Sequence, residues 1–310
     1  MQTTAVVLEA PERLTLRTLA LRAVEATDVV VEIDFSGIST GTERLLYTGT
    51  MPAFPGMGYP LVPGYESVGR VVAAGADAQG RIGDSVFVPG ANCYADARGL
   101  FGGAARTVIL PAAKALAVDP ALGRDGALLA LAATAHHALV GGRPAELIVG
   151  HGVLGRLLAR LTIALGHAAP TVWETNPVRA AGATGYCVTD AASDDRRDYA
   201  SIYDVSGAAD MLDPLVTRLA RGGEVVLAGF YDRLTFAFPP AFMREATIRI
   251  AAEFTSVDLT AVTALLANGA LSLGGLVTHV SHAAAANDAY VTAFGDAACL
   301  KMVLDWSEVG

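Results

Sequence analysis

Three glycines and one acid carry the clearest chemistry in this sequence. The stretch AELIVGHGVLG, beginning at Ala145, runs from apolar residues into Gly150, Gly152 and Gly155, a G-x-G-x-x-G spacing. A helical pattern follows at once, with Leu154, Leu157, Leu158, Leu161 and Leu165 on one face and Arg156 and Arg160 on another. A second apolar run, TVW, ends in Glu174. Strand, glycine turn, helix, strand and acid is the order that holds a dinucleotide. Gly150 permits the tight turn. Gly152, with no Cβ, lets the backbone approach a pyrophosphate, and Gly155 lets the helix pack close to the strand. The phosphates then meet free N–H groups and the positive end of the helix dipole. Glu174 is spaced to accept hydrogen bonds from the adenosine ribose and to repel a 2′-phosphate, which favours NAD over NADP; Arg179 nearby works against that preference. The candidate cofactor set is Gly150, His151, Gly152, Val153, Leu154, Gly155, Glu174 and Arg179, joined by Ser206 and Gly229 in two later strand-to-loop turns. His151, inside the phosphate turn, is expected to contact cofactor and not substrate.

The elements around this unit alternate. Residues 1–35 read as β, broken by Pro11 and by Ala26–Asp28. Ser36–Gly49 is a turn-rich stretch bearing Ser36, Ser39, Thr40 and Thr42. Met51–Tyr65 holds Pro52, Pro55, Pro60 and Pro63 among Phe54, Met57 and Tyr59, a pattern that excludes a helix or a regular central strand and leaves an apolar surface loop. Three more strands follow, near Glu66–Ala74, Arg81–Val88 and Gly102–Leu110. From Asp119 the pattern becomes helical and then alternates strand with helix, which argues for a doubly wound parallel Rossmann sheet inserted in a mostly-β, barrel-like domain. The expected division is 1–118, 119–270 and 271–310. Ligands on such sheets lie beyond the carboxyl ends of the strands, so Gly150–Gly155, Val205–Ala208 and Gly229–Asp232 are expected to frame the cofactor.

Composition excludes several classes. Net charge is −9 with no basic cluster, which argues against nucleic acid as a partner. The N-terminus has neither a basic n-region nor a long apolar core, and Gly126–Gly142 is too short to span a bilayer, so no signal peptide or transmembrane segment is expected and the cytoplasm is the default. Cys93, Cys187 and Cys299 are far apart and read as buried free thiols.

The order of the pieces resembles the medium-chain dehydrogenase/reductase superfamily over essentially the whole chain. The segments that carry it are VVVEIDFSGIS, PLVPGYESVGRVVAAG, RIGDSVFV, ATAHHAL, LANGALSLGGLVTHV and CLKMVLDW. The resemblance implies a catalytic domain built from both chain ends, and favours a homodimer. Within the superfamily, SGISTGTERLLYTGTMPAFPGMGYPLVPGYESVGRVV and YDVSGAADMLDPLVTRLARGGEVVLAGFY resemble members that act on a tetrapyrrole. That implies NAD-dependent oxidation of the hydroxyethyl group of a bacteriochlorophyllide-type ring to acetyl. A planar ring needs a wide apolar slot, which Met51–Tyr65 is suited to supply, and Arg44 or Arg244 is suited to pair with a propionate.

Departures from the superfamily pattern define the catalytic candidates. Zinc-dependent members place a Cys where this chain has Ser39 and a His where it has Tyr65, and the four-cysteine structural lobe is missing. No zinc is expected, because Zn²⁺ needs three or four S, N or O ligands in fixed geometry. Alcohol oxidation must then rely on hydrogen bonds and a proton acceptor. Ser39 and Tyr65 are expected to line the site, with Thr42 as orienter or relay, Glu66 as a possible base, and His136 as the member of the His136–His137 pair within reach of the chemistry. Two competing readings stand beside this one: a zinc-free quinone or enoyl reductase, and a non-catalytic nucleotide-binding protein.

Overall fold

The structure, a computed structural model, describes residues 1–231 and 233–309. Asp232, the last residue of one loop expected to frame the cofactor, lies outside the described residues. In chain order the strands and helices begin with β1 (Gln2–Ala10), β2 (Arg13–Ala20), β3 (Asp28–Ile38), α1 (Thr42–Thr48), β4 (Ser67–Ala74), β5 (Ser85–Val88), β6 (Thr107–Pro111) and β7 (Leu116–Ala117). Next come α2 (Leu129–Val140), β8 (Leu147–Val149), α3 (Val153–Ala164), β9 (Thr171–Trp173), α4 (Pro177–Ala180), β10 (Cys187–Thr189), β11 (Tyr199–Asp204), α5 (Leu212–Arg218), β12 (Leu219–Leu227), α6 (Phe238–Arg244), β13 (Thr247–Ile250) and α7 (Ser256–Ala267). The chain closes with β14 (His279–His282), α8 (Ala286–Gly295) and β15 (Met302–Asp305).

Two compact units result, one of residues 1–130 with 274–310 and one of residues 131–273. Residues 119–130, grouped by sequence with the second unit, belong to the first. There the 3-10 segment Pro120–Leu128 buries its end, and a Cβ on Gly126 would lie 2.8 Å from Val68 Cγ1.

In the first unit β1 and β2 form a hairpin, and a seven-stranded sheet runs β14-β15-β3-β4-β5-β7 with β6 also paired to β3. β3 is central: its alternating Val29, Val31 and Ile33 are fully buried, and it takes antiparallel partners on β4, β6 and β15. The stretch read as turns after it contains the seven-residue helix α1. Glu43 and Leu46, one turn apart, face inward, and Gly49 (φ 73°) ends the helix by donating to the carbonyls of Leu45 and Leu46. The hydroxyls and glycines of this stretch masked that spacing.

The second unit is a six-stranded sheet in the order β10-β9-β8-β11-β12-β13, with every pairing parallel. The chain reverses its direction of travel across the sheet between β8 and β11, which places a crevice at their carboxyl ends. Ile202, Val225 and Leu147 are fully buried, as strands covered on both faces require. Of the three thiols, Cys93 and Cys299 are buried, while Cys187 is exposed on the edge strand β10, contrary to the expectation of burial.

Candidate functional site

The glycine turn lies in the second unit. β8 ends at Val149, and Gly150 turns the chain with φ 106°, a conformation that suits a residue without Cβ. A Cβ on Gly155 would sit 1.9 Å from the Gly150 carbonyl oxygen, so glycine is obligatory where α3 lies on the turn. Nothing lies within 4 Å of a Cβ built on Gly152, the helix N-cap, so this face of the turn is open to an approaching group. Val153, Leu154 and Gly155 head α3, whose first-turn amides have no partner within the helix. The Glu174 carboxylate follows β9 and is fixed by two backbone donors, His151 N at 3.1 Å and Asn176 N at 2.8 Å. Parallel register aligns Asp204 of β11 with Val149 and with Leu227, so the loops carrying Gly150, Ser206 and Gly229 leave the sheet side by side. Ser206 Oγ donates to Asp204 at 2.7 Å, and the Gly229 amide donates to the Asp204 carbonyl at 3.2 Å. Ser206 and Gly229 thus shape the crevice wall, with the Ser206 hydroxyl already engaged.

One residue of the turn departs from the sequence reading. His151 does not present its side chain to a ligand: it is fully buried, with Nδ1 2.6 Å from the Arg179 carbonyl and Nε2 2.8 Å from the Tyr186 hydroxyl. Burial holds its pKa below the usual histidine value. Arg156 is buried beside it and donates to the carbonyls of His151, Arg179, Ala181 and Gly182, tying the segment after Glu174 to α3. Arg179 contributes its carbonyl to both neighbours.

His136, expected near the chemistry, also takes a structural place in this unit. Its Nδ1 lies 2.8 Å from Asp258 Oδ1, while His137 Nδ1 lies 3.1 Å from Oδ2. Asp258 additionally closes the capping box of α7 with Thr255. The pair pins α2 to α7. Together the backbone and side chain of Thr255 and the two histidines outweigh burial and hold the Asp258 carboxyl down at about 2.

The catalytic candidates lie in the first unit. Ser39 leaves β3 and Tyr65 enters β4, and antiparallel pairing of Ser36 with Ser67 brings them together. Ser39 Oγ and the Tyr65 hydroxyl are 2.7 Å apart. Tyr65 packs edge-on to Phe101, with ring centroids 5.2 Å apart. Burial and the Glu66 charge push its phenol above the ordinary tyrosine range, against opposing hydrogen bonds from Ser39 and Thr42. Tyr65 therefore stays protonated and acts as a donor, and Thr42 stands beside it at the head of α1.

Glu66 is fully buried and paired with Lys301, which precedes β15. A Cβ on Gly37 would lie 2.3 Å from Glu66 Oε2 and 2.8 Å from Lys301 Cε, so glycine makes room for the pair. Glu66 is thus a structural partner and not a base open to substrate. Its neighbour in the cluster, Glu43, also fully buried, accepts from the Tyr290 hydroxyl of α8 at 2.6 Å. Sequence reasoning missed Glu43, Tyr290 and Lys301; only the one-turn spacing of Glu43 and Leu46 signalled an inward carboxyl.

These donors do not suit zinc. Ser39 and Tyr65 offer neutral hydroxyls bonded to each other, Glu66 is engaged by Lys301, and among the described residues no group of three or more His, Cys, Asp or Glu is placed to hold a metal ion.

The loop before Tyr65 has two characters. Met51, Leu61 and Val62 are buried, and Tyr59 donates to the Leu46 carbonyl, whereas residues 52–56, including Phe54, are exposed. Arg244 is occupied by the Leu219 and Thr217 carbonyls, whereas Arg44 is exposed on α1.

A seven-stranded β unit interrupted by a doubly wound parallel sheet is the architecture of the medium-chain dehydrogenases. Residues 25–120 match the family described as the alcohol dehydrogenase GroES-like domain. A short chain alcohol dehydrogenase from Escherichia coli, solved with NADH, superposes with a TM-score of 0.85 at 20% identity, covering 98% of this chain and 99% of that one. The 2-desacetyl-2-hydroxyethyl bacteriochlorophyllide A dehydrogenase of Cereibacter sphaeroides is 59% identical across 99% of both chains. Its namesake from Rhodobacter capsulatus is 56% identical, again across 99% of both. This chain belongs to the family of these bacteriochlorophyllide dehydrogenases, within the medium-chain dehydrogenase/reductase superfamily.

Proposed function

We propose that this protein is an oxidoreductase that oxidises the hydroxyethyl group of a bacteriochlorophyllide-type tetrapyrrole to acetyl with NAD, a step of bacteriochlorophyll synthesis. The observation that carries this reading is the 59% identity over 99% of both chains. Bound nicotinamide would supply the hydride acceptor. The open face at Gly152 and the α3 amides suit its pyrophosphate. Glu174, held by two backbone donors, supports NAD over NADP, because a fixed carboxylate repels a 2′-phosphate.

The chain's own groups then handle the proton. Ser39 and Tyr65 stand where zinc-dependent members carry metal ligands, and their hydroxyls stabilise the oxygen of the alcohol by hydrogen bonding, with Thr42 orienting Tyr65. Conjugation of the carbinol carbon with the macrocycle lowers the demand on these donors. The exposed tip at 52–56 is the apolar wall for the ring, and Arg44 is the partner for a propionate. Exposed Phe242, Met243 and Ile250 near the edge strand β13 support a homodimer. Three cysteines spaced too far apart in sequence to read as a disulfide framework support a reducing, cytoplasmic location.

The test is turnover. Purified protein with NAD and the hydroxyethyl substrate should yield NADH in step with a shift of the pigment's red-most band. Tyr65→Phe should lower kcat about a hundredfold while leaving NAD affinity unchanged. Reduction of quinones or enones with NADPH, in place of alcohol oxidation, would refute the reading.

A further inference from the structure

The segment between β9 and β10 forms the acid side of the cofactor crevice, and apolar packing does not hold it. None of the four residues of α4 is buried, and Ala181, Gly182, Thr184 and Gly185 are exposed. Gly182 (φ 80°) and Gly185 (φ 82°) bend it through left-handed conformations. A segment with so little burial opens locally unless polar contacts fix it.

Those contacts come from the glycine turn and α3. The buried Arg156 guanidinium donates to the carbonyls of Arg179, Ala181 and Gly182 at 2.9, 2.7 and 3.3 Å, while its Nε donates to the His151 carbonyl. His151 completes the frame, because each of its polar atoms is engaged. Its amide donates to Glu174 Oε2 and its carbonyl accepts from Arg156. Nδ1 faces the Arg179 carbonyl and Nε2 the Tyr186 hydroxyl. A carbonyl only accepts, so Nδ1 carries the ring proton and Nε2 accepts from Tyr186. The Tyr186 ring also meets the imidazole edge-on, with centroids 5.5 Å apart.

The Glu174 carboxylate spans the same two parts of the chain. Oε2 takes the amide of His151 in the turn, and Oε1 takes the amide of Asn176 in the segment. Both bonds last only while turn and segment keep their separation, and the contacts of His151, Arg156 and Tyr186 set that separation. Resting on the NAD reading above, we propose that these three residues form a buried clamp that sets nucleotide preference, fixing the Glu174 carboxylate where it accepts from a ribose and repels a 2′-phosphate. Once the clamp loosens, the carboxylate gains rotamers that carry its charge aside, and the 2′-phosphate is excluded less strongly. The three are positioning residues that act on the nucleotide through Glu174.

The experiment measures calorimetric Kd values for NAD and NADP with wild type, Tyr186→Phe and Arg156→Lys, and with Tyr186→Phe combined with Glu174→Ala. Hydrogen exchange of residues 176–186 is followed in the same proteins. Tyr186→Phe removes one hydrogen bond and keeps the ring, so the preference for NAD over NADP should narrow about threefold to tenfold. Arg156→Lys keeps the charge and loses the fork, and should narrow it by about tenfold. Amides of 176–186 should exchange faster in both variants, while those of β8 and β11 keep their protection. In the Glu174→Ala protein, adding Tyr186→Phe should leave the ratio where it was, because the clamp acts through that carboxylate. A role in stability alone would lower resistance to denaturant and leave the ratio unmoved. Should Arg156→Lys fail to fold, Tyr186→Phe still decides the matter. A Tyr186→Phe ratio equal to that of wild type, or a change that persists undiminished without Glu174, would overturn the proposal. Wild-type protein that binds nucleotide and oxidises no alcohol would instead sink the dehydrogenase reading, with the ratio still reporting on the clamp. A wild type that binds NADP as tightly as NAD would overturn the clamp and the NAD reading together.

Discussion

The glycine turn and the hydroxyl–carboxyl cluster are built in opposite ways. The turn is local: Gly150, Gly152, Gly155 and Glu174 lie within one strand–helix–strand unit, and what they offer is largely backbone. The cluster is assembled from afar. Tyr290 is 247 residues from Glu43, and Lys301 is 235 from Glu66. What it offers is side-chain charge, whose meaning depends on burial. A backbone device can be written as spacing, because omission of a Cβ has the same consequence in every copy of the motif. A buried charge has no meaning until the fold supplies its neighbours.

That contrast can be broken by substitution. The largest effect should come from Lys301→Met, which strands the Glu66 carboxyl and should cost about 3–5 kcal/mol in denaturant unfolding. Adding Glu66→Gln should recover most of it; a loss below about 1 kcal/mol would show that Glu66 is neutral without Lys301. Next is Gly155→Ala, whose Cβ would meet the Gly150 oxygen at 1.9 Å. Overpacking of that kind should cost about 1–3 kcal/mol and weaken NAD binding by calorimetry. Glu174→Ala should weaken NAD by about tenfold, close to 1.4 kcal/mol, and narrow the gap to NADP. If NADP still binds far more weakly, Glu174 is not the discriminating group.

An effect of similar size belongs to Asp258. Its carboxyl is depressed from 3.8 to about 2 in the folded protein, so its contribution is present above the unfolded value and fades as pH falls through about 2. Asp258→Asn should cost on the order of 1–2 kcal/mol near neutrality, and the gap to wild type should close in acid.

How far each part was legible follows from the same contrast. The doubly wound sheet was plain, because short apolar strands alternated with helices around the glycine turn. Helix α1 was not, since Gly and Thr residues suggested turns while Glu43 and Leu46 supplied only two inward positions. Arg156 stands off the leucine face of α3, yet three carbonyls of the segment after Glu174 and that of His151 hold it inside, partners that only the fold brings to it. His151 was read as a cofactor contact from its place between two glycines, but the Arg179 carbonyl and Tyr186 hydroxyl satisfy it inside. His136 and Glu66 were read as chemistry and became structural partners, because Asp258 and Lys301 lie far along the chain. Ser39 and Tyr65 came from family resemblance, and the fold then placed their hydroxyls 2.7 Å apart.

In the proposed reaction hydroxyls of this chain do the work given elsewhere in the superfamily to a metal. The decisive measurement is turnover of metal-stripped protein with NAD and the hydroxyethyl tetrapyrrole in the presence of chelator. NADH and acetyl product should form in equal amounts, at a rate that added zinc does not raise. Turnover that vanishes on stripping and returns with zinc would contradict it.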